Sequence, residues 1–296
     1  MSNQNESSCQ NNSATIEMLI FTIGEKKVLN YRKLPQKELY ILLIREKQKN
    51  NKEINEWVLP NDYIQLHLHE NLDSIALRIL REKTNLSEAY IEQLYTFREE
   101  DEITESSNIN IAYMALVPQN DRIEFLKNDD TYESKWFRID YDLESQKESK
   151  DNRGNLLIIQ NYDLKLQRID EVLGTVNVKL SINNKIVNQT LIRELIISES
   201  SGIAKKHGKI INCGLERLKN KIEYTDIIFQ LMPKTFTFSE LQQVYELLLG
   251  SKLYTAQFRR KIEPKLIRLT DIISEGKGHR PAQYYCFNPI WALKNE

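Results

Sequence analysis

The sequence predicts an α+β protein built in two parts, and two observations carry that prediction. Strand-like segments dominate residues 14–221, which also contain a short amphipathic helix and most of a long helical stretch, whereas residues 222–296 carry capped helices followed by a strand pair. The chain of 296 residues is also longer than one ordinary domain and has room for two hydrophobic cores. We therefore expect two domains, 14–221 and 222–296, after a polar and disordered segment 1–13.

Composition narrows the classes of function. The net charge of −1 gives the whole chain no general attraction for nucleic acid or acidic membranes, so any such surface must be local. Cys9, Cys213 and Cys286 lack metal-binding spacing, and no signal peptide or apolar run of ~20 residues is present in the sequence. We therefore expect a cytoplasmic protein that has no membrane partner.

The first part should form a mixed sheet with helices. "TIEMLIFTI", "LYILLIRE", "NINIAYMALVP", "ESKWFRID" and "LLIIQ" have the β-branched and apolar composition of strands. A helix is predicted over 72–84, because Leu72, Ile75, Ala76 and Leu80 recur at helical spacing. "REEDEITES" is interpreted as a solvated acidic loop. "GKIINCGLERLKNKIEYTDIIFQLM" predicts a long helical stretch, broken at most once.

The second part begins with a helix in "TFTFSELQQVYELLLG". Its capping box is either Thr237 with Glu240 or Ser239 with Gln242, and Gly250 ends it.

A second, shorter helix, "AQFRRKI", follows. Thr255 is predicted to cap it, Phe258 and Ile262 face inward at i, i+4 spacing, and Pro264 limits its length. "KLIRLTDIISEGKGHRPAQYYCFNP" then predicts strand, turn and strand. Together with the long helical stretch before them, these elements give three helices followed by a hairpin, which is the order of a winged helix-turn-helix domain.

Basic residues are concentrated on the second helix and in the hairpin turn. A recognition helix uses such side chains on its outward face to contact base edges, and a wing contacts phosphate or the minor groove. A solvated basic surface without a partner is the alternative. The candidate DNA contacts are Gln257, Arg259, Arg260, Lys261, Lys277, His279 and Arg280.

Residues 59–86 resemble the Nudix box, G-x5-E-x7-R-E-U-x-E-E-x-G-U, where U is a bulky aliphatic residue. With Arg78 at the arginine, Glu70 and Glu82 occupy glutamate positions. Four positions depart from the box, and they are occupied by Ile64, Ile79, Lys83 and Asn85. The helical glutamates of this box hold magnesium against a diphosphate, and Ile79 and Lys83 replace two of them here. We therefore expect no enzyme activity, no metal and no cofactor.

Taken together, the chain resembles the Nudix-related transcriptional regulators, the NrtR-like family. The resemblance rests on "WVLPNDYI", "LREKTNL", "IAYMALVP", "KWFRID", "HGKIINCGLERLKNKIEYTDIIFQLM", "FRRKI" and "HRPAQYYCFN", in order over most of residues 15–290. It implies a Nudix-like α/β/α sandwich with a mixed sheet, followed by a winged helix-turn-helix domain. It also implies a homodimer that binds double-stranded operator DNA and senses a sugar or an ADP-ribose-like effector. Segment 151–201, longer than the family's usual connection, departs from the pattern.

The candidate effector pocket lies over the former diphosphate site. Its predicted residues are Arg45, Trp57, Glu70, Arg78 and Glu82. Carboxylates can accept hydrogen bonds from sugar hydroxyls, and arginine can bind phosphate. The main alternative is a Nudix hydrolase of nucleoside diphosphate derivatives with an appended binding domain. A third possibility is a protein-interaction module, because winged helices also bind proteins.

Overall fold

The strands of the first part assemble into one mixed sheet. The computed structural model describes residues 14–26, 35–47, 56–64, 70–84, 89–101, 106–118, 131–168, 176–273 and 282–295. The strands of the sheet are β1 (Ala14–Lys26), β2 (Gln36–Glu46), β3 (Asn61–Tyr63), β4 (Tyr90–Asp101), β5 (Ser106–Val117), β6 (Tyr132–Lys150), β7 (Leu156–Arg168), β8 (Val176–Val187) and β9 (Thr190–Ser201). Their order is β4-β5-β1-β2-β6-β7-β8-β9, and β3 pairs with β1. The β1–β5 pair is parallel and the other pairs are antiparallel, which makes the sheet mixed.

One region differs from the sequence prediction, and the segment that departs from the family pattern forms strands. The acidic segment predicted as a loop is in part strand, because β4 pairs with β5 as far as Asp101 opposite Ser106. Backbone pairing outweighs the acidic composition there, since β4 is an edge strand and edge strands tolerate charged residues. The described residues of segment 151–201 include β7, β8 and β9, which extend the sheet beyond β6, each antiparallel to the strand before it.

Helices cover both faces of this sheet. On one face, α1 (Leu72–Lys83) buries Ile75, Ala76, Ile79 and Leu80 against the Ile16–Met18–Ile20 side of β1. Asn71 caps α1, because its side-chain oxygen accepts a hydrogen bond from the Ser74 amide at 2.7 Å. On the other face, α2 (Lys205–Tyr224) packs over Leu19 and Phe21 of β1. The predicted α/β/α sandwich with a mixed sheet is therefore confirmed.

The long helix α2 lies very close to the sheet. A β-carbon at Gly214 would come within 2.3 Å of the Leu19 Cδ2 atom, so the glycine allows the close approach. The helix ends at Tyr224, and a 3₁₀ turn follows at Ile227–Gln230, which is the single break that the sequence predicted. Because α2 continues across position 221, the boundary between 14–221 and 222–296 remains a proposal.

The C-terminal residues form a winged helix-turn-helix unit, as predicted. Its elements are β10 (Phe236–Thr237), α3 (Phe238–Leu249), α4 (Thr255–Ile262), β11 (Leu266–Ile273), β12 (Gln283–Phe287) and α5 (Pro289–Asn295). The three strands pair in the order β10-β12-β11. Thr237 and Glu240 form the capping box of α3, and Gly250 ends that helix in the left-handed conformation at φ +69°.

The prediction that Thr255 caps α4 is wrong by one position. Tyr254 is the N-cap residue and makes no side-chain capping bond, while Thr255 is the first helical residue. The Thr255 hydroxyl instead accepts a hydrogen bond from the Gln242 side-chain amide at 3.2 Å. That contact with α3 replaces the local capping bond. Phe258 and Ile262 face inward as predicted.

One hydrophobic core extends through both parts of the chain. It includes Leu19 and Phe21 in the sheet, Leu218 in α2, and Leu241 and Phe258 in the winged helix. The winged helix is therefore packed directly on the α2 face of the sheet. None of the helices within the described ranges is long and apolar enough to cross a lipid bilayer.

Candidate functional site

The outer side of α1, where the sequence carries the partial Nudix box, is organised around Arg78. Its guanidinium donates a hydrogen bond to the Asp62 carboxylate at 2.6 Å and lies 3.6 Å from Glu70 and 3.5 Å from Glu82. The hydrogen bond with Asp62, together with the nearby charges of Glu70 and Glu82, raises the pKa of Arg78 above its ordinary value. A groove of about 460 Å³ runs along this surface. It is lined by Glu70, Ser74, Leu77, Arg78, Arg81 and Glu82.

The residues on this helix do not fit a magnesium ion. Ile79, at the position of a box glutamate, is 1% exposed and belongs to the core between α1 and the sheet. Lys83, at another glutamate position, places its ammonium 3.8 Å from the centre of the Tyr132 ring. Magnesium requires several oxygen ligands in a near-octahedral arrangement, and here a hydrocarbon and a cation replace two of them.

A second group surrounds Trp57, close to the start of α2. The Arg45 guanidinium lies 4.5 Å and the Arg168 guanidinium 5.6 Å from the centre of the indole ring. Glu133 forms ion pairs with both arginines, at 2.5 Å to Arg45 and 3.7 Å to Arg168. The indole itself is 5% exposed and packs edge-on against Phe137. This group therefore combines two guanidinium groups, one carboxylate and a buried aromatic ring.

The five predicted effector residues thus fall into two groups. Trp57 belongs to the core beneath α2, with Arg45 stacked on it, whereas Glu70, Arg78 and Glu82 line the outer side of α1 on the opposite sheet face. Sequence reasoning missed three charged partners in these groups. They are Asp62, which reaches Arg78 of α1 from β3, and Glu133 and Arg168, which are brought together with Arg45 by strand pairing.

A buried charged cluster anchors the start of α2 to the sheet. Glu17 of β1 is 1% exposed, and its carboxylate lies 3.3 Å from His207 Nδ1 and 3.2 Å from Lys206 Nζ. Burial raises the pKa of the Glu17 carboxyl, but hydrogen bonding and charge interactions with His207 and Lys206 outweigh burial and lower it below its ordinary value. His207 itself is buried beside this carboxylate.

Further contacts hold α2 along its length. The Tyr141 hydroxyl donates a hydrogen bond to the Asn212 side chain at 2.7 Å. Near the end of the helix, Lys221 forms an ion pair with Glu92 of the edge strand β4. With the close approach at Gly214, these contacts make α2 a rigid connector rather than a flexible linker.

A buried lysine joins the sheet directly to the winged helix. The side chain of Lys37 in β2 is 1% exposed and lies 2.5 Å from Glu25 and 3.4 Å from Glu240. Glu240 also completes the capping box of α3, where its carboxylate accepts a hydrogen bond from the Thr237 amide at 2.7 Å. The ion pair therefore connects a strand of the sheet to the first turn of α3.

The predicted DNA contacts on α4 differ in their surroundings. Arg259 places its guanidinium 4.9 Å from the centre of the Phe238 ring, and Lys261 donates to the Glu223 carbonyl at 3.4 Å. The side chains of Gln257 and Arg260 are exposed and form no hydrogen bond or ion pair with any residue in the described part of the chain. Lys277, His279 and Arg280 lie outside the described residues.

The end of α2 is also fixed to the region that follows α4. Lys265 forms an ion pair with Asp226 at 2.5 Å, beside the Lys261–Glu223 contact. Both contacts link the last turn of α2 and the residues just after it to the carboxyl end of α4. Movement of α2 would therefore change the orientation of α4.

Comparison with known proteins agrees with this architecture. Residues 228–287 match the family model of the NrtR DNA-binding winged helix domain. The chain is 25% identical over 274 residues, 92% of its own length and 81% of the relative's, to the ADPR responsive transcriptional repressor NtrR of Acinetobacter baylyi.

Two solved structures share the fold over almost the whole chain. One is Shewanella oneidensis NrtR complexed with a 27mer DNA, with a TM-score of 0.57, 23% identity and coverage of 95% of both chains. The other is a MutT/nudix family protein from Enterococcus faecalis, with a TM-score of 0.58, 20% identity, and coverage of 95% of this chain and 89% of that one. The expected resemblance is confirmed: the chain combines a Nudix-like α/β/α sandwich with a winged helix that matches the NrtR winged helix domain.

Proposed function

We propose that this chain is a cytoplasmic, homodimeric transcriptional regulator that binds double-stranded operator DNA and responds to a small metabolite. The observation that carries the proposal is the direct packing of an NrtR-type winged helix on a Nudix-like sheet through one continuous core. In that arrangement α4 presents Arg260 and Gln257 to solvent, as a recognition helix requires. The domains are 14–221 for the sensor and 222–296 for DNA binding.

The effector is proposed to be an ADP-ribose-like metabolite, with a sugar as the second candidate. The relative from Acinetobacter baylyi responds to ADPR, which favours the first class. The groove on α1 suits the sugar part of either class, because Glu70 and Glu82 can accept hydrogen bonds from sugar hydroxyls. Arg45 and Trp57 lie on the other face of the sheet and are therefore a separate candidate site for the same effector.

The Nudix-like domain is proposed to be catalytically inactive. Buried Ile79 and the Lys83 ammonium occupy positions where the box carries glutamates, so the helix lacks the oxygen ligands for magnesium. Incubation of the purified chain with ADP-ribose and magnesium should release no AMP. Turnover above about 0.1 per second, still far below a median enzyme, would instead favour the hydrolase alternative.

DNA binding can be tested with duplexes selected from a random library. The parent should bind a near-palindrome whose half-sites are separated by about 10 base pairs or a multiple. Arg260→Ala should lose ~1–3 kcal/mol of binding free energy and relax the preference at one guanine in each half-site. Arg153→Ala, in the exposed turn between β6 and β7, is the matched control and should bind as the parent does.

The same titrations test the sensor. Saturating ADP-ribose should change operator affinity by typically 1–3 kcal/mol, and DNA should change ADP-ribose affinity by the same factor. A panel of pentoses and hexoses serves as the second arm. Unchanged operator affinity with every compound would remove the sensor part of the proposal, and a partner bound without salt dependence or DNA would favour a protein-interaction module.

A further inference from the structure

The outward surface of α4 contains a residue that sequence reasoning passed over. Ala256 is exposed one helical turn before Arg260, so both side chains project from the same side of the helix. Phe258 and Ile262 point the opposite way into the core. Ala256 therefore lies next to Arg260 at the centre of the surface that would face DNA, and the inference rests on the proposed function.

The short side chain of Ala256 creates a depression between longer ones. A cleft of about 430 Å³ opens at this point of the helix. It is lined by Ala256, Arg259, Arg260, Glu263 and Pro264. The Ala256 side of the cleft is apolar, and the guanidinium groups of Arg259 and Arg260 border the cleft. The cleft can therefore receive an apolar group that belongs to an anionic polymer such as DNA.

We propose that Ala256 is a specificity-determining residue that packs on the 5-methyl group of a thymine in the major groove. That methyl group is the apolar feature by which the major groove distinguishes thymine, and alanine is among the residues that contact it. Ala256 and Arg260 are four residues apart, which is about 6 Å along a helix, and base pairs are stacked about 3.4 Å apart. The thymine should therefore lie about two base pairs from the guanine that Arg260 binds.

The test removes the methyl group from the DNA and leaves the protein unchanged. Each thymine of the selected half-site is replaced in turn by uracil, and affinity is measured for the parent and for Ala256→Gly. The parent should lose about fourfold in affinity at one position, the amount expected for one buried methyl-sized group. Ala256→Gly should lose nothing further at that position, and uracil outside the half-sites is the control.

The outcomes separate this proposal from the function on which it rests. If every uracil is neutral for the parent while Arg260→Ala still loses its guanine preference, the role of Ala256 is wrong and the regulator remains. If the parent selects no sequence at all, the proposed function fails and this inference fails with it. Glycine weakens a helix, so the parent series with uracil decides the matter even if Ala256→Gly does not fold.

Discussion

Restoring the Nudix glutamate at position 79 should destabilise the fold rather than create an enzyme. Ile79 is 1% exposed and packs in the core between α1 and the sheet. Replacing it by glutamate removes about 1.5–3 kcal/mol of hydrophobic stabilisation. Burying a carboxyl group at the same site destabilises the folded state by a further ~1–3 kcal/mol, the cost of an unsatisfied polar group. Ile79→Glu should therefore lose about 2.5–6 kcal/mol of unfolding free energy, a large share of a typical domain's stability.

The loss should depend on pH in a defined direction. A buried carboxyl has a folded-state pKa above its unfolded value of ~4.3, because burial disfavours the charged form. The variant therefore loses additional stability as pH rises above the unfolded pKa, until the folded pKa is passed. Urea unfolding at pH 5 and pH 8 should show the larger deficit at pH 8.

Two controls make the measurement specific. Ile79→Met conserves volume and should lose less than about 1.5 kcal/mol at either pH. Lys83→Glu removes only the half-buried contact with Tyr132 and should change stability by about 1 kcal/mol or less. If Ile79→Glu is as stable as Ile79→Met at both pH values, position 79 is not the obstacle to a metal site that its burial indicates.

Three further predictions concern the contacts between α2, the sheet and the winged helix, and DNA binding. Lys37→Met should leave the protein folded but reduce the change in operator affinity that ADP-ribose causes. Lys147→Met, at an exposed position, is the control and should leave that change as large as in the parent. Equal responses of the two variants in operator titrations would contradict coupling through Lys37. Because the pKa of Glu17 is lowered from 4.5, its carboxylate stabilises the fold above pH 4.5 and that contribution disappears as pH falls through the folded value. Glu17→Gln should therefore flatten the acid side of the stability profile measured by urea unfolding, and an unchanged profile would show that the cluster contributes little. Lys277→Ala, if Lys277 contacts phosphate, should weaken binding to all duplexes alike and reduce the logarithmic salt slope by about one, so a sequence-dependent loss would exclude that role.

Local patterns predicted most of the fold. The α1 helix follows from apolar spacing, and the end of α3 at Gly250 follows from a residue suited to the left-handed conformation. These signals depend on neighbours within a few positions, so they are readable without tertiary structure. The capping of α4 failed for the converse reason, because the Thr255 hydroxyl accepts its hydrogen bond from Gln242 in another helix.

The candidate sites were less predictable, because their contacts join distant positions. Arg45 meets Glu133 only through the register of β2 with β6. Lys37 and Glu240 are 203 positions apart, and nothing around either residue indicates the other. By contrast, Arg78 and Glu82 are one helical turn apart, and this local spacing is sufficient to bring their charged groups to 3.5 Å.

The sheet and the winged helix are connected in three ways, and together these define how a ligand can act on DNA binding. The shared core prevents the winged helix from rotating freely, and α2 is held to the sheet from Glu17 to Glu92. The remaining freedom lies at the polar contacts, where Lys37 meets Glu240 and Asp226 meets Lys265. A ligand that shifts β2 or α2 must therefore change these ion pairs or move α3 and α4 with the sheet. In the proposed dimer, either response would alter the spacing of the two recognition helices, and we expect this change to alter operator affinity.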